Sequence, residues 1–91
     1  MYEITEYSKL QAKKLGVEIK PSTRKGKKLD VFENNKKVAS IGAKGYKDFP
    51  TYTKEKGLQY AKGRRKLYKE RHEKDRHKKG SAGFYSDKIL W

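Results

Sequence analysis

One segment of the sequence, from Lys62 to Lys69, combines a high density of cations with an aromatic ring. A guanidinium group can bind a phosphate through two parallel hydrogen bonds, and a lysine ammonium supplies a point charge. Such contacts hold a nucleic acid by its backbone, so that affinity tolerates changes of sequence and falls with salt. The alternative is a solvated basic face without a ligand. The cations predicted to point outward and bind phosphate are Lys62, Arg65, Lys66 and Lys69.

A second basic block lies earlier in the chain, within and just after a segment of loop-forming residues, 21–26. Glycine, proline and serine in this segment predict a loop between elements of regular structure. We expect a flexible loop whose cations bind phosphate groups of the same nucleic acid. The predicted contacts are Arg24, Lys25, Lys27 and Lys28.

Three residues toward the end of the basic region are candidate metal ligands or catalytic residues: His72, Asp75 and His77. On a helix His77 lies five residues after His72 and points about 140° away from it, so three ligands cannot converge from this helix alone. The surrounding lysines and arginines would also repel a metal cation. The HExxH motif of zinc proteases, the P-loop of nucleoside triphosphatases and the GxSxG motif of serine hydrolases do not occur in the sequence. We therefore expect no metal, no cofactor and no enzymatic activity.

The C-terminal part of the chain, from Arg71 onward, mixes charges of both signs with glycines and aromatic residues. One interpretation is a folded corner, in which the arginines pair with Asp75 or the terminal carboxylate, and Gly80 and Gly83 let the chain turn back. The other is a docking surface for a partner protein, because tryptophan, tyrosine and arginine dominate the energetics of interfaces. The predicted docking residues are Arg71, Arg76, Tyr85 and Trp91.

Composition limits the class of protein. The 91 residues hold 25 lysines and arginines against 11 acidic residues, giving a net charge of +14. That surplus exceeds what solubility requires and favours a polyanionic partner. Apolar residues make up 33% of the chain and aromatic residues 12%, and the aromatics indicate a compact core rather than disorder. We expect one small domain over residues 1–91, without cysteine chemistry, signal peptide or membrane insertion.

Elements that could position these residues begin with a helix. A capping box of Ser8 and Gln11 predicts its start, and Gly16 its end after Leu15. Residues 17–19 alternate as in a short strand. Residues 28–33 and 36–41 predict a β-hairpin around the Asn34–Asn35 turn, because asparagine tolerates left-handed backbone angles.

Helices are predicted for the second half of the chain. Asp48 or Phe49, just before Pro50, predicts a helix start. Gly57 either kinks this helix or separates it from a second one that begins at Leu58. A basic helix is expected over residues 58–77, and Ser81 restarts the chain toward an apolar tail that docks on the hairpin, the long helix or a partner. The expected inner face of the basic helix holds Tyr60, Ala61, Arg64, Leu67, Tyr68, Arg71, His72 and Asp75.

Six segments of the sequence resemble a small uncharacterised family of basic proteins from nucleocytoplasmic large DNA viruses, the giant viruses. The likeness covers nearly the whole chain and is most specific in the C-terminal third. It implies a viral origin and a setting in the virion, or in the host cytoplasm or virus factory during infection. It assigns no role to any residue. The segments are 12–17, 27–31, 48–52, 64–68, 71–76 and 80–91.

Together these observations predict an α+β fold with a short N-terminal helix, an antiparallel hairpin or three-stranded sheet, one or two basic helices and an apolar tail packed back. The predicted function is that of a non-enzymatic viral protein that binds nucleic acid, most readily DNA, through its backbone and without strong sequence specificity. The alternative is a minor capsid or other virion structural protein that bridges larger subunits through their acidic faces. Neither hypothesis calls for a small-molecule substrate.

Overall fold

The hairpin predicted from the sequence forms the centre of the fold in the computed structural model, which describes residues 3–91. Strands β2 (Lys27–Glu33) and β3 (Lys36–Ala43) are antiparallel and joined at Asn34 and Asn35, whose φ angles are 52° and 66°. Two successive positive φ angles are typical of the type I′ turn, which matches the twist of the flanking strands. Strand β1 (Glu18–Pro21) pairs with β2, so the sheet has three strands in the order β1-β2-β3.

A bulge in the hairpin decides which side chains reach the core. Val31 pairs with Ala39, but Phe32 pairs with Lys37, so Val38 is the extra residue on β3. The shift keeps Val31 and Ile41 on the buried face and leaves Val38 40% exposed. The bulge accounts for the irregular spacing of apolar residues on the two strands.

Helix α1 (Glu6–Leu15) begins earlier than the sequence predicts. Its N-cap is Thr5, whose side-chain oxygen accepts a hydrogen bond from the Ser8 backbone N–H at 3.2 Å. The predicted cap at Ser8 is therefore wrong. The Ser8 hydroxyl is instead fully buried and donates to the Ile89 carbonyl at 2.9 Å. Gly16 ends the helix with φ of 74°, as predicted.

Two helices follow the sheet, separated at Gly57. Helix α2 (Phe49–Lys56) is capped by Asp48, and Gly57, with φ of 92°, precedes helix α3 (Leu58–Arg71). The separate second helix is thus the correct alternative. The expectation that it continues to residue 77 is wrong, because turns replace the helix from residue 72.

Tertiary packing explains the early end of α3. The turns over residues 72–80 lie against helix α4 (Ala82–Ile89), which is capped by Ser81 and forms the tail. A Cβ added at Gly83 would lie 3.0 Å from the Asp75 Cβ and 3.1 Å from its carbonyl oxygen. This close approach needs glycine at position 83, and it fixes the path of the turns across α4.

The tail packs into the core, as expected. Tyr85, Ile89 and Leu90 join residues of β2 and β3 in one buried cluster. The backbone N–H of Phe49 donates to the Leu90 carbonyl at 3.0 Å, which ties the tail to the start of α2. The α+β architecture predicted from the sequence is confirmed. Within the described residues, every helix is too short or too polar to cross a membrane.

Candidate nucleic-acid interface

Three aspartates are almost completely buried, and each forms an ion pair with a lysine. The exposed fractions of Asp30, Asp48 and Asp87 are only 2%, 1% and 1%. Burying a carboxylate is costly unless a cation and hydrogen bonds compensate its charge. The ion pairs are Lys37–Asp30 at 3.5 Å, Lys28–Asp48 at 3.2 Å and Lys69–Asp87 at 2.6 Å. Some cations of this basic chain are therefore committed to the interior.

Asp30 shows how such a carboxylate is stabilised. Its oxygens accept hydrogen bonds from the Ser22 hydroxyl at 2.6 Å, the Ser40 hydroxyl at 2.7 Å and the Thr23 backbone N–H at 3.2 Å. Burial alone would raise the pKa of Asp30, but these bonds and the Lys37 charge outweigh burial and lower that pKa to about 2. Asp30 thereby anchors the loop that carries Arg24.

The basic loop divides into exposed and internal cations. Arg24 and Lys25 are exposed, as expected. Lys27 and Lys28 belong to β2 rather than to a flexible loop, because Lys27 already pairs with Ala43. The Lys28 side chain is 6% exposed and binds Asp48, so it cannot reach an external phosphate. Lys27 is half-buried at the margin of a surface cleft.

The cations of α3 divide in the same way. Lys62 and Lys66 are exposed. The expectation that Arg65 and Lys69 also point outward is wrong, since both are half-buried. The Arg65 guanidinium carbon lies 3.6 Å from the centre of the Phe49 ring, a cation–π contact between α3 and α2. Lys69 reaches across to Asp87 on α4.

The packed face of α3 is rotated from the predicted one. Ala61 and Tyr68 are buried as predicted, but Tyr60 and Leu67 are 48% and 49% exposed. The face turned toward α2 and α4 instead includes Arg65 and Lys69, whose long stems cover apolar surface while their charges bind partners. The apolar stripe of the sequence is thus a misleading guide to this helix.

The predicted docking residues are largely used inside the fold. The Tyr85 side chain is 5% exposed and donates a hydrogen bond to Glu33 at 3.2 Å. Its burial, and next this bond to a carboxylate, raise the pKa of Tyr85. Trp91 is half-buried and stacks on Tyr68, with ring centres 4.5 Å apart and planes 10° apart.

The two arginines of the docking prediction differ in their surroundings. The Arg76 guanidinium binds Glu73 at 3.0 Å and approaches Asp87 at 3.7 Å, whereas Arg71 is exposed. The folded corner therefore exists, but Arg76 pairs with Glu73 and Asp87 in place of the expected Asp75 or terminal carboxylate. Across residues 3–91 no three histidine, cysteine or acidic side chains are grouped to hold a metal ion.

A cleft of about 460 Å³ opens between β3, α3 and α4, with the residues around Gly45 at its margin. Its buried base includes the apolar Ile41 and Leu90 and the Lys28–Asp48 ion pair. One of its cations, Lys47, pairs with Glu55. In the part of the chain that the structure describes, no carboxylate forms a salt bridge with the other three cations of this margin, Lys27, Arg64 and Arg71. The aromatic residues of the cleft are Tyr46, Tyr52, Tyr68 and Trp91.

This cleft is not predicted from the sequence. Arg64 is predicted on the inner face of its helix, and Tyr46 and Tyr52 receive no role. One signal was present, because Tyr46 is an aromatic residue between Gly45 and Lys47 in a loop. The convergence depends on how α3 packs against α2 and α4 against β3, which sequence spacing does not reveal.

Comparison with known proteins identifies a family without assigning an activity. Neither a curated protein nor a solved structure matches the chain. A family model described as "Family of unknown function (DUF5754)" matches residues 17–72, which is more than half of the 91 residues. The matched region runs from just before β1 to just past α3, and it contains the cleft cations Lys27, Arg64 and Arg71. The chain therefore belongs to the DUF5754 family of unknown function.

Proposed function

We propose that this protein is a non-enzymatic nucleic-acid-binding protein that contacts the phosphate backbone without strong sequence specificity. The observation that carries the proposal is the segregation of charge between surface and interior. Of the 25 lysines and arginines, 19 are exposed, while three of the 11 acidic residues are buried with cations of their own. The surface therefore keeps a strong positive excess.

The distribution of exposed cations suits a polyanion better than a single small anion. Arg24 and Lys25 lie in the loop before β2, Lys62 and Lys66 on the outer side of α3, and Arg71 at the cleft. Lysines and arginines spread over several elements can neutralise successive phosphates and release their counterions. No hydrogen-bonding pattern in this arrangement corresponds to a base edge, so we expect binding to tolerate changes of sequence.

The setting of the function follows from the resemblance to proteins of large DNA viruses. It favours genomic DNA as the partner and a place in the virion, or in the host cytoplasm or virus factory. The minor-capsid alternative draws on Tyr85 and Trp91 as docking residues. Tyr85 is a core residue and one face of Trp91 is covered by Tyr68, so these positions favour nucleic-acid binding over capsid docking.

The proposal is tested by fluorescence anisotropy with labelled nucleic acids across a series of salt concentrations. We expect micromolar or tighter binding near physiological salt, equal for unrelated sequences of the same length. The logarithm of the binding constant should fall linearly with that of the salt concentration, by about 0.9 for each neutralised phosphate on a duplex.

A control separates this behaviour from general attraction of a basic protein to any anion. Free inorganic phosphate at the same total phosphate concentration should not displace the nucleic acid, because it lacks the linked charges that release counterions together. Absence of binding to duplex and single strands near physiological salt would rule the proposed function out.

A further inference from the structure

The cleft described above brings aromatic rings and cations together, which a general basic surface does not require. Tyr46 is 75% exposed, and among residues 3–91 its ring has no aromatic partner. Leaving a tyrosine ring in water beside a cleft forgoes the burial that stabilises such a side chain. Nothing in its contacts gives Tyr46 a role in holding the fold. Its ring is available to a ligand.

The other aromatic rings of the cleft are held in place by contacts within the fold. Trp91 stacks on Tyr68, and the centre of the Tyr52 ring lies 6.2 Å from that of Trp91. The Tyr68 hydroxyl donates to Ser86 at 3.0 Å, which fixes the stack on α4. These three rings, Tyr52, Tyr68 and Trp91, form an aromatic cluster. Tyr68 is buried between Trp91 and the His72 ring, whose centre lies 4.4 Å away, so the half-buried Tyr52 and Trp91 are the rings of the cluster that a planar group could contact.

Positive charge is held directly beside the aromatic cluster. The Arg64 guanidinium lies over the Tyr52 ring, 5.4 Å from its centre. Arg71 is exposed and lies about two helical turns after Arg64 on α3. Lys27 lies on the opposite side of the cleft, on β2. An anion attached to a planar group would therefore meet cations on two elements of the cleft.

We infer that the cleft holds an unpaired nucleotide of a single-stranded nucleic acid, with its base against Tyr46 and the aromatic cluster and its phosphates at Lys27, Arg64 and Arg71. The cleft volume of about 460 Å³ lies within the range typical of small-ligand sites. This inference rests on the proposed function and adds the class of nucleic acid to it. It requires no base-specific hydrogen bond, because every base has a π-face.

A single strand fits these observations better than a duplex. In a duplex both faces of each base are covered by neighbouring bases, so that only phosphates and groove edges can be reached. A single strand can present a base face to an aromatic ring and a phosphate to an arginine at the same time. A single strand offers the exposed Tyr46 ring a base face on which to stack, and a duplex does not.

The test compares three labelled ligands of matched length with the full chain: a mixed-sequence single strand, the corresponding duplex and a strand of abasic sites with the same phosphates. Anisotropy gives the affinities. We expect the single strand to bind at least about fivefold more tightly than the abasic strand, as stacking of one base would give. Trp91 is the sole tryptophan, so its emission should be quenched by the single strand and not by the abasic one.

Variants assign the effect to the cleft. Tyr46→Ala should weaken binding of the single strand by about fivefold and leave the abasic strand unaffected, and Tyr46→Phe should retain the affinity because it keeps the ring. Leu10→Ala is the control, since Leu10 is a 53% exposed apolar side chain on α1 that does not line the cleft, whereas Tyr60 packs on Tyr52 of the aromatic cluster. Thermal unfolding of each variant confirms that it folds.

The outcomes distinguish this inference from the proposed function. Equal binding of all three ligands, with no effect of Tyr46→Ala, would overturn the inference and leave backbone binding in place. Equally tight binding of a free mononucleotide would also overturn it, because the site would then need no strand. If none of the ligands binds near physiological salt, both the inference and the proposed function fail.

Discussion

The two basic segments of this chain, 24–28 and 62–69, have similar sequences and the same division of roles. In the first, Arg24 and Lys25 are exposed while Lys28 is buried against Asp48. In the second, Lys62 and Lys66 are exposed while Lys69 pairs with buried Asp87. Each segment therefore supplies cations both to the surface and to the interior.

The division arises differently in the two segments. In the first, β2 is the central strand of the sheet and is buried without interruption from Lys28 to Val31, so that the start of β2 at Lys27 decides which lysine enters the fold. In the second, Lys66 and Lys69 lie only about 60° apart around α3, and Lys69 is the one nearer to the buried Ala61 and Tyr68 and within reach of Asp87. The comparison teaches that a run of cations predicts a positive surface only after the secondary structure and the buried acids are known.

The largest expected loss of stability follows from removing the buried cation of the first segment, Lys28. Lys28→Met removes the ammonium beside Asp48, a carboxylate that is 1% exposed. Removing one partner of a buried ion pair costs about 3–5 kcal/mol because the other charge stays buried. Urea denaturation should show this loss in the free energy of unfolding. Lys25→Met, which removes the same charge from an exposed position, should change it by less than about 0.5 kcal/mol.

An equal loss of stability in these two variants would contradict the division within the first segment. It would mean that Lys28 and Lys25 share the same environment. The comparison is direct because both substitutions change the net charge of the chain by the same amount.

The second segment gives a smaller effect. Lys69→Met should lower the free energy of unfolding by only about 2 kcal/mol, because Arg76 and Lys88 remain 3.7 and 3.8 Å from Asp87. Lys66→Met on the same helix is the control and should be nearly neutral. Urea denaturation of the two variants measures the difference, and a larger loss at Lys66 than at Lys69 would refute the assignment of inner and outer faces.

The smallest stability effect depends on pH and concerns Asp30. Its pKa is about 2 in the folded protein against 3.8 for an ordinary aspartate, so the unfolded chain binds the proton more readily. Stability from this group is fully present above about pH 4 and is lost as pH falls toward 2, by between about 1 and 2 kcal/mol. Urea denaturation at several pH values should show this loss, and Asp30→Asn should abolish it.

The exposed Asp75 provides the matched control for that experiment, since its side chain is 70% exposed. Asp75→Asn should leave the acid dependence of the wild-type protein nearly unchanged. A full acid response in the Asp30→Asn variant would show that other carboxylates, and not Asp30, dominate acid unfolding.

Local signals in the sequence predict much of the fold. The Asn34–Asn35 turn, the helix start at Asp48 or Phe49 and the Gly16 helix end depend on a few neighbouring residues, and the structure confirms all three, with Asp48 as the cap. The start of α1 is missed because Thr5 and Ser8 are both good caps, and only the docking of the tail decides that Ser8 bonds to Ile89. Tertiary contact selects between equivalent local choices here.

The candidate site is predicted less well than the fold. Arg24, Lys25, Lys62 and Lys66 are exposed as expected, because a lysine-rich segment usually keeps some charges in water. The cleft cannot be recognised in the sequence, since Tyr46 and Arg64 are separated along the chain and line the same cleft only in the folded protein. The ion-pair partners of the cations are equally hard to predict from the sequence, because Asp87 is adjacent to Lys69 only in the folded protein.

Loss of two cations from the cleft, compared with loss of two cations elsewhere, tests most directly whether nucleic acid is bound at this face. The cleft variant is Arg64→Gln with Arg71→Gln, and the control is Lys13→Gln with Lys14→Gln at the exposed end of α1. Anisotropy across a salt series with a single strand is the measurement. We predict that the cleft variant lowers the salt slope by about 0.7 for each lost phosphate contact, whereas the control retains nearly the wild-type slope. Equal losses in both variants would contradict a defined interface and would reduce the binding to diffuse attraction by net charge.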